Sequence, residues 1–141
     1  MFNKVIWATD GSEHADRALE LAKSLVNPNG GSLLAVHTIE YLVGPGTHGA
    51  STEFADEDDR KAKITQQVAD LTAAGVTAEV RIVESGAQSA AHTVARVAEE
   101  EGADLIVAGT RGHTPLAGLL LGSVTQRLLS ISPCPVLVVP K

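Results

Sequence analysis

Residues 4–9 read KVIWAT, a run of strand formers that ends at once in the turn Asp10-Gly11-Ser12. The hydrophobic spacing then changes. Ala15, Ala18, Leu19, Ala22, Leu25 and Val26 recur at steps of three and four behind Ser12, a helix-capping residue type, so an amphipathic helix is predicted. Asn27-Pro28-Asn29-Gly30-Gly31 stops it, and residues 32–39 (SLLAVHTI) form a near-continuous apolar run, as expected of a strand covered on both faces. Residues 43–51 are rich in Gly, Pro, Thr and Ser, and Glu53 to Asp59 add five carboxylates, which together predict a surface loop. Helical spacing resumes over 58–74 through Ala62, Ile64, Val68, Leu71 and Ala74, with Gly75 as a C-terminal cap. A third strand over 76–83, a helix marked by Ala90, Ala91, Val94, Ala95 and Ala98 and closed by Gly102, and a fourth strand over 105–108 follow. A glycine-rich loop, a helix over 123–131 and a last strand over 136–139 complete the pattern.

Strict alternation of five strands and four helices, with apolar strands, predicts an α/β fold. It would be an open five-stranded parallel sheet with helices on both faces, joined by right-handed crossovers. With 141 residues and 44% hydrophobic content, one domain over 1–141 is expected. Ligands of such sheets lie beyond the carboxyl ends of the strands where strand order reverses. Three segments therefore matter: Thr9 to Ser12, His37 to Glu40, and the loop after Ala108.

Composition narrows the ligand. A formal net charge of −6 and 3% aromatic content argue against extended contact with nucleic acid, which needs positive surface or stacking platforms. A single nucleotide is not excluded, because backbone N–H groups and a helix dipole hold phosphate locally. Cys134 is the only cysteine, so no intrachain disulfide forms, and its place between Pro133 and Pro135 marks a small packed hydrophobe. No basic stretch followed by a long apolar run opens the chain, and cytoplasmic residence is expected. His14, His37, His48, His92 and His113 are scattered without metal-ligand spacing, so no metal site is expected. Asp10, Ser12 and His14 lie within five positions and cannot adopt triad geometry.

The loop reads GTRGHTPLAGLLLGSVTQ from Gly109 to Gln126. Glycines at 109, 112, 118 and 122 permit close backbone approach to an anion, and the helix beginning at Ser123 offers unpaired N–H donors and a positive dipole end. Ser123 and Thr125 add hydroxyls, and Arg111 is suited to pairing with a phosphate. Neither a Walker A loop nor a dinucleotide fingerprint is present. Glycines that serve only turning and packing remain the competing explanation. Asp10 is placed to accept a ribose hydroxyl or an adenine amino proton, or else only to fix its turn.

Gly109-x2-Gly112-x9-Gly122-Ser123, followed by Val124-Thr125, resembles the ATP-binding signature of the universal stress protein family. The likeness extends to Thr9-Asp10-Gly11-Ser12, to His37-Thr38, to the run 102–107 and to the run 133–140. It implies a Rossmann-like domain of the adenine nucleotide alpha hydrolase-like type that binds ATP, is commonly a homodimer, and serves stress survival and signalling. By the same resemblance Thr9 and Asp10 meet the nucleoside side and Thr38 the base. Gly109, Arg111, Gly112, Gly122, Ser123, Val124 and Thr125 would surround ribose and phosphates, with any Mg²⁺ held mainly by the nucleotide's phosphates. Thr38 stands where Val is frequent, and Ala8 where Pro or Val is frequent. No base for phosphoryl transfer is identifiable, so a binding module is expected. A slow ATP hydrolase or phosphotransferase, or a binder of another adenine nucleotide such as cyclic AMP, stays open as an alternative. The unbroken apolar run Val136–Val139, with no helix after it to cover it, predicts pairing of two chains through this strand.

Overall fold

The computed structural model describes residues 1–39, 50–86, 88–110 and 121–140. Nine elements follow one another: β1 (Lys4–Ala8), α1 (Glu13–Leu25), β2 (Ser32–Ile39), α2 (Ala50–Ala73), β3 (Ala78–Glu84), α3 (Ala90–Glu101), β4 (Leu105–Gly109), α4 (Ser123–Ile131) and β5 (Val136–Val139). All strand pairs are parallel and the sheet order is β3-β2-β1-β4-β5. This is the α/β sheet that the alternation predicts.

Period-two alternation along each strand divides the core into two layers. Val5, Trp7, Leu33, Ala35, Leu105 and Val107 face one side and pack with Ala15, Ala18, Leu19 and Ala22 of α1 and Ile64, Val68 and Leu71 of α2. Ile6, Leu34, Val36 and Ile106 face the other and meet Ala91, Val94, Val97 and Ala98 of α3 and Leu128 of α4. The right-handed crossovers dictate this split, because the chain moves outward from β1 in one direction through β2 and β3, then returns to β4 and β5 on the opposite side.

Helix ends follow their expected chemistry. Ser12 accepts the N–H of Ala15 at the start of α1, and Gly102 closes α3 at φ 63°, a left-handed conformation that costs a residue without Cβ little. At the amino edge of the sheet Asp104 accepts the backbone N–H groups of Asn3 and Lys4 at 2.8 and 2.9 Å, tying the start of β1 to that of β4.

One expectation is corrected. The carboxylates from Glu53 to Asp59, expected in a surface loop, lie within α2, which begins eight residues before Asp58. Residues 50–61 contain too few apolar positions for periodicity to mark a helix, yet no Gly or Pro breaks the chain there. Acidic residues near the N-terminal end also interact favourably with the helix dipole. Among the described residues no helix is long and apolar enough to cross a membrane.

Candidate functional site

β1 and β4 are neighbours whose crossovers leave in opposite directions, so the crevice beyond their carboxyl ends is not closed by a connection. On the β1 side the chain is bound tightly. Thr9 continues the ladder, its N–H donating to the Val36 carbonyl at 3.0 Å, and its hydroxyl then accepts the N–H of Gly11 at 3.1 Å. Asp10 Oδ1 accepts the N–H of Ser12 at 3.0 Å. Gly11 sits at φ 79°, with the side chain of Arg60 packed over it, 3.2 Å from where a Cβ would stand. Beneath this turn the buried indole N–H of Trp7 donates to the Ala15 carbonyl at 2.9 Å. Asp10 therefore does fix its turn. A carboxylate accepts at several lone-pair positions, so that duty is compatible with ligand contact.

The β4 side is joined to it by close packing. A Cβ on Gly109 would stand 2.7 Å from the carbonyl oxygen of His14 in the first turn of α1. The glycine is required by the approach of β4 to α1, whatever ligand lies beyond. Its carbonyl accepts the hydroxyl of Thr125 at 2.8 Å, which commits the proton of that buried hydroxyl to holding α4 against β4. The carbonyl of Thr110 accepts the N–H of Gly122 at 2.6 Å, drawing together the two ends of the glycine-rich loop.

Gly122 is the N-cap of α4 and supplies no side-chain cap. Gln126 makes the first intrahelical bond, to the Gly122 carbonyl, so the N–H groups of Ser123, Val124 and Thr125 precede every intrahelical acceptor. Ser123 and Val124 are exposed. An open groove of about 770 Å³ runs from the start of α3 along the length of α4, lined by Ser89, His92, Ser123, Val124, Arg127 and Ile131 among others. Arg127 was not singled out from the sequence. Its signal was the four-residue spacing from Ser123, which puts both on one face of α4.

Thr38 lies near the end of β2, opposite Val83 of β3. Its hydroxyl oxygen is buried and has no hydrogen-bond partner among the described residues, a costly arrangement. Arg111 and Gly112 lie outside the described residues, as does His113.

Glu57 belongs to the acidic run for which the sequence predicts a surface loop. Instead its carboxylate meets Nε2 of buried His37, while Nδ1 of the same ring lies 3.0 Å from the Thr9 carbonyl. Lys63 donates to the Gly11 carbonyl at 2.8 Å and to Asp16 at 2.7 Å. Helix α2 thus borders the turn after β1, a relation that no local spacing reveals.

The family model described as the universal stress protein family matches residues 1–140. A universal stress protein of Thermus aquaticus is 37% identical over 99% of this chain and 99% of its own length. Among solved structures, the MJ0577 protein superimposes with a TM-score of 0.73 at 28% identity, over 100% of this chain and 97% of its own. A universal stress protein solved in complex with cAMP gives a TM-score of 0.64 at 26% identity, covering 99% and 97%.

Proposed function

The chain belongs to the universal stress protein family, and from that premise we propose that it binds an adenine nucleotide, ATP in the first place, and acts as a nucleotide-dependent module in stress response or signalling rather than as an enzyme. The observation that carries this is the junction of the β1 turn, the end of β4 and the start of α4. Gly109 packs against His14 and is bonded by Thr125, so Asp10 and the uncapped first turn of α4 flank one crevice at the reversal of strand order.

Each part suits one portion of the ligand. N–H groups without an intrahelical acceptor and the dipole at a helix start favour phosphate, with Ser123 adding a hydroxyl and Arg127 a positive charge beside the groove. The buried Thr38 hydroxyl and the Asp10 carboxylate are polar groups suited to a base and a ribose. Arg111 and Gly112 would complete the phosphate side. Any Mg²⁺ would be held mainly by the phosphates, whose charge it would reduce. The relative solved with cAMP supports an adenine ligand without deciding the number of phosphates.

Mass spectrometry of small molecules carried through gentle purification tests the ligand class, with an adenine nucleotide expected at a ratio approaching one per chain. Asp10→Ala should weaken ATP and leave inorganic tripolyphosphate unaffected; equal losses would refute the nucleoside-side assignment. Sustained turnover of Mg·ATP above ~1 per second, the usual enzyme range, would contradict a binding role.

The same protein is proposed to form a homodimer through β5. This strand is a sheet edge and all four of its residues are partly exposed. An apolar edge of this kind is stabilised by a self-complementary partner. Sedimentation of Val138→Glu should give a folded monomer, and a folded, unchanged dimer would contradict the interface.

A further inference from the structure

Three contacts from α2 converge on the turn that carries Asp10. The side chain of Arg60 covers Gly11, Lys63 donates to the Gly11 carbonyl, and Glu57 reaches Thr9 through the ring of His37. Residues 57, 60 and 63 lie three apart and share one side of the helix. Lys63 and Gln67 also hold Asp16 of α1, at 2.7 and 2.9 Å, which locks α2 to the helix that the turn leads into.

The link through His37 has a particular chemistry. In the ladder between β1 and β2 the N–H of Thr9 is taken by Val36, while its carbonyl is taken by a side chain, Nδ1 of His37. A carbonyl only accepts, so Nδ1 carries a proton. Nε2 of the same ring meets the Glu57 carboxyl, so the imidazole bridges the Thr9 carbonyl and the side chain from α2. His37 is 2% exposed, so hydrogen bonds of its ring act in a low-dielectric interior and water is a poor substitute for either partner. Other charged groups near this link are Arg60, 3.5 Å from Glu57, and Lys63 with Asp16 one turn farther along α2.

We propose that Glu57 and His37 are positioning residues: through the imidazole ring, α2 sets the orientation of the Thr9 carbonyl and thereby the Thr9–Ser12 turn that presents Asp10 to the nucleoside end of the ligand. Glu57 does not touch the ligand in this scheme. The ligand half of this relay rests on the nucleotide-binding role proposed above; the turn half does not.

Chemistry separates a relay from mere filling of space. Glu57→Ala removes the second partner and leaves Nε2 without one. Glu57→Gln keeps a polar group in place, because its amide N–H donates to an unprotonated Nε2 while Nδ1–H still reaches Thr9. The alanine variant should therefore move the turn and the glutamine variant should restore it. Amide signals of Gly11 and Ser12 in ¹H–¹⁵N spectra of the ligand-free protein give the first readout. Displacement in Glu57→Ala and near-wild-type positions in Glu57→Gln are expected. Calorimetry gives the second. Adenosine affinity should fall about tenfold in Glu57→Ala, recover to within about threefold in Glu57→Gln, and inorganic tripolyphosphate affinity should be equal in all three proteins. Unmoved turn amides in Glu57→Ala, or identical behaviour of the two variants, would overturn the relay. Wild-type protein that binds neither probe would sink the nucleotide role, while the amide signals would still decide the relay.

Discussion

Gly109→Ala isolates the packing that brings the two halves of the crevice together. An alanine Cβ built on the observed backbone would lie 2.7 Å from the carbonyl oxygen, 2.8 Å from the carbonyl carbon and 3.1 Å from the Cβ of His14. The first two are backbone atoms held in α1, whose first turn is capped by Ser12 and receives the Trp7 indole bond at Ala15. They cannot rotate away as a flexible side-chain end would. Reaching ordinary contact at about 3.4 Å requires a relative shift of roughly 0.7 Å between β4 and α1 in a close-packed layer, and overpacking of this degree costs about 1–3 kcal/mol. The only tryptophan, Trp7, is fully buried in that layer and reports unfolding by fluorescence. In urea, a slope of about 2 kcal/mol per molar converts a 2 kcal/mol loss into a midpoint about 1 M lower. An unchanged midpoint would refute the contact. Ligand affinity lost with the midpoint unchanged would instead mean that Gly109 matters only for backbone approach to the ligand.

Thr38→Val removes a buried hydroxyl without a partner among the described residues and should stabilise the chain, measured without nucleotide, by about 1 kcal/mol, a rise in Tm of about 4 °C; a lower Tm would show that the hydroxyl is satisfied in solution. For Asp104, burial opposes ionisation, but backbone N–H groups, those of Asn3 and Lys4 first, outweigh it and hold the carboxyl below the usual aspartate range. A depressed folded value means that the stabilisation is present at neutral pH and is lost as pH falls through it. Asp104→Asn should thus cost about 1 kcal/mol at pH 7, measured by denaturation, with the gap to wild type closing below about pH 4; a gap that does not change with pH would contradict this.

Much of the fold was legible because local chemistry and global topology agree. The run 32–39 coincides with β2 residue for residue, Ser12 caps α1 as its position before an apolar-periodic stretch implies, and Gly102 takes the left-handed conformation expected of a helix stop. The first turns of α2 were not legible, since they carry almost no hydrophobic period and rest on propensity and the absence of breakers. For the crevice, spacing singled out Asp10 because it follows β1 directly, and the start of α4 because the glycine-rich loop after β4 runs into it. For Gly109 it left two reasons open, approach to an anion and packing; the packing partner is His14, a residue 95 positions away in the chain, which no local spacing reveals. Glu57 was hidden for the same reason: its partner His37 is brought to it by the crossover from β2 to α2, and a carboxylate in an acidic run looks solvated until that partner is known.

The phosphate side at the start of α4 is the centre of the account, and Gly122 is its most exposed assumption. Its backbone is at φ −65° and ψ 158°, an extended conformation that valine also adopts, so Gly122→Val alters the approach to the first turn of α4 without backbone strain. Calorimetric titration of ATP into wild type and Gly122→Val, with urea midpoints recorded for both, is the most direct measurement. One ATP bound per wild-type chain and none by an equally stable Gly122→Val is the expected result; undiminished ATP affinity in the variant would contradict phosphate binding at this helix start.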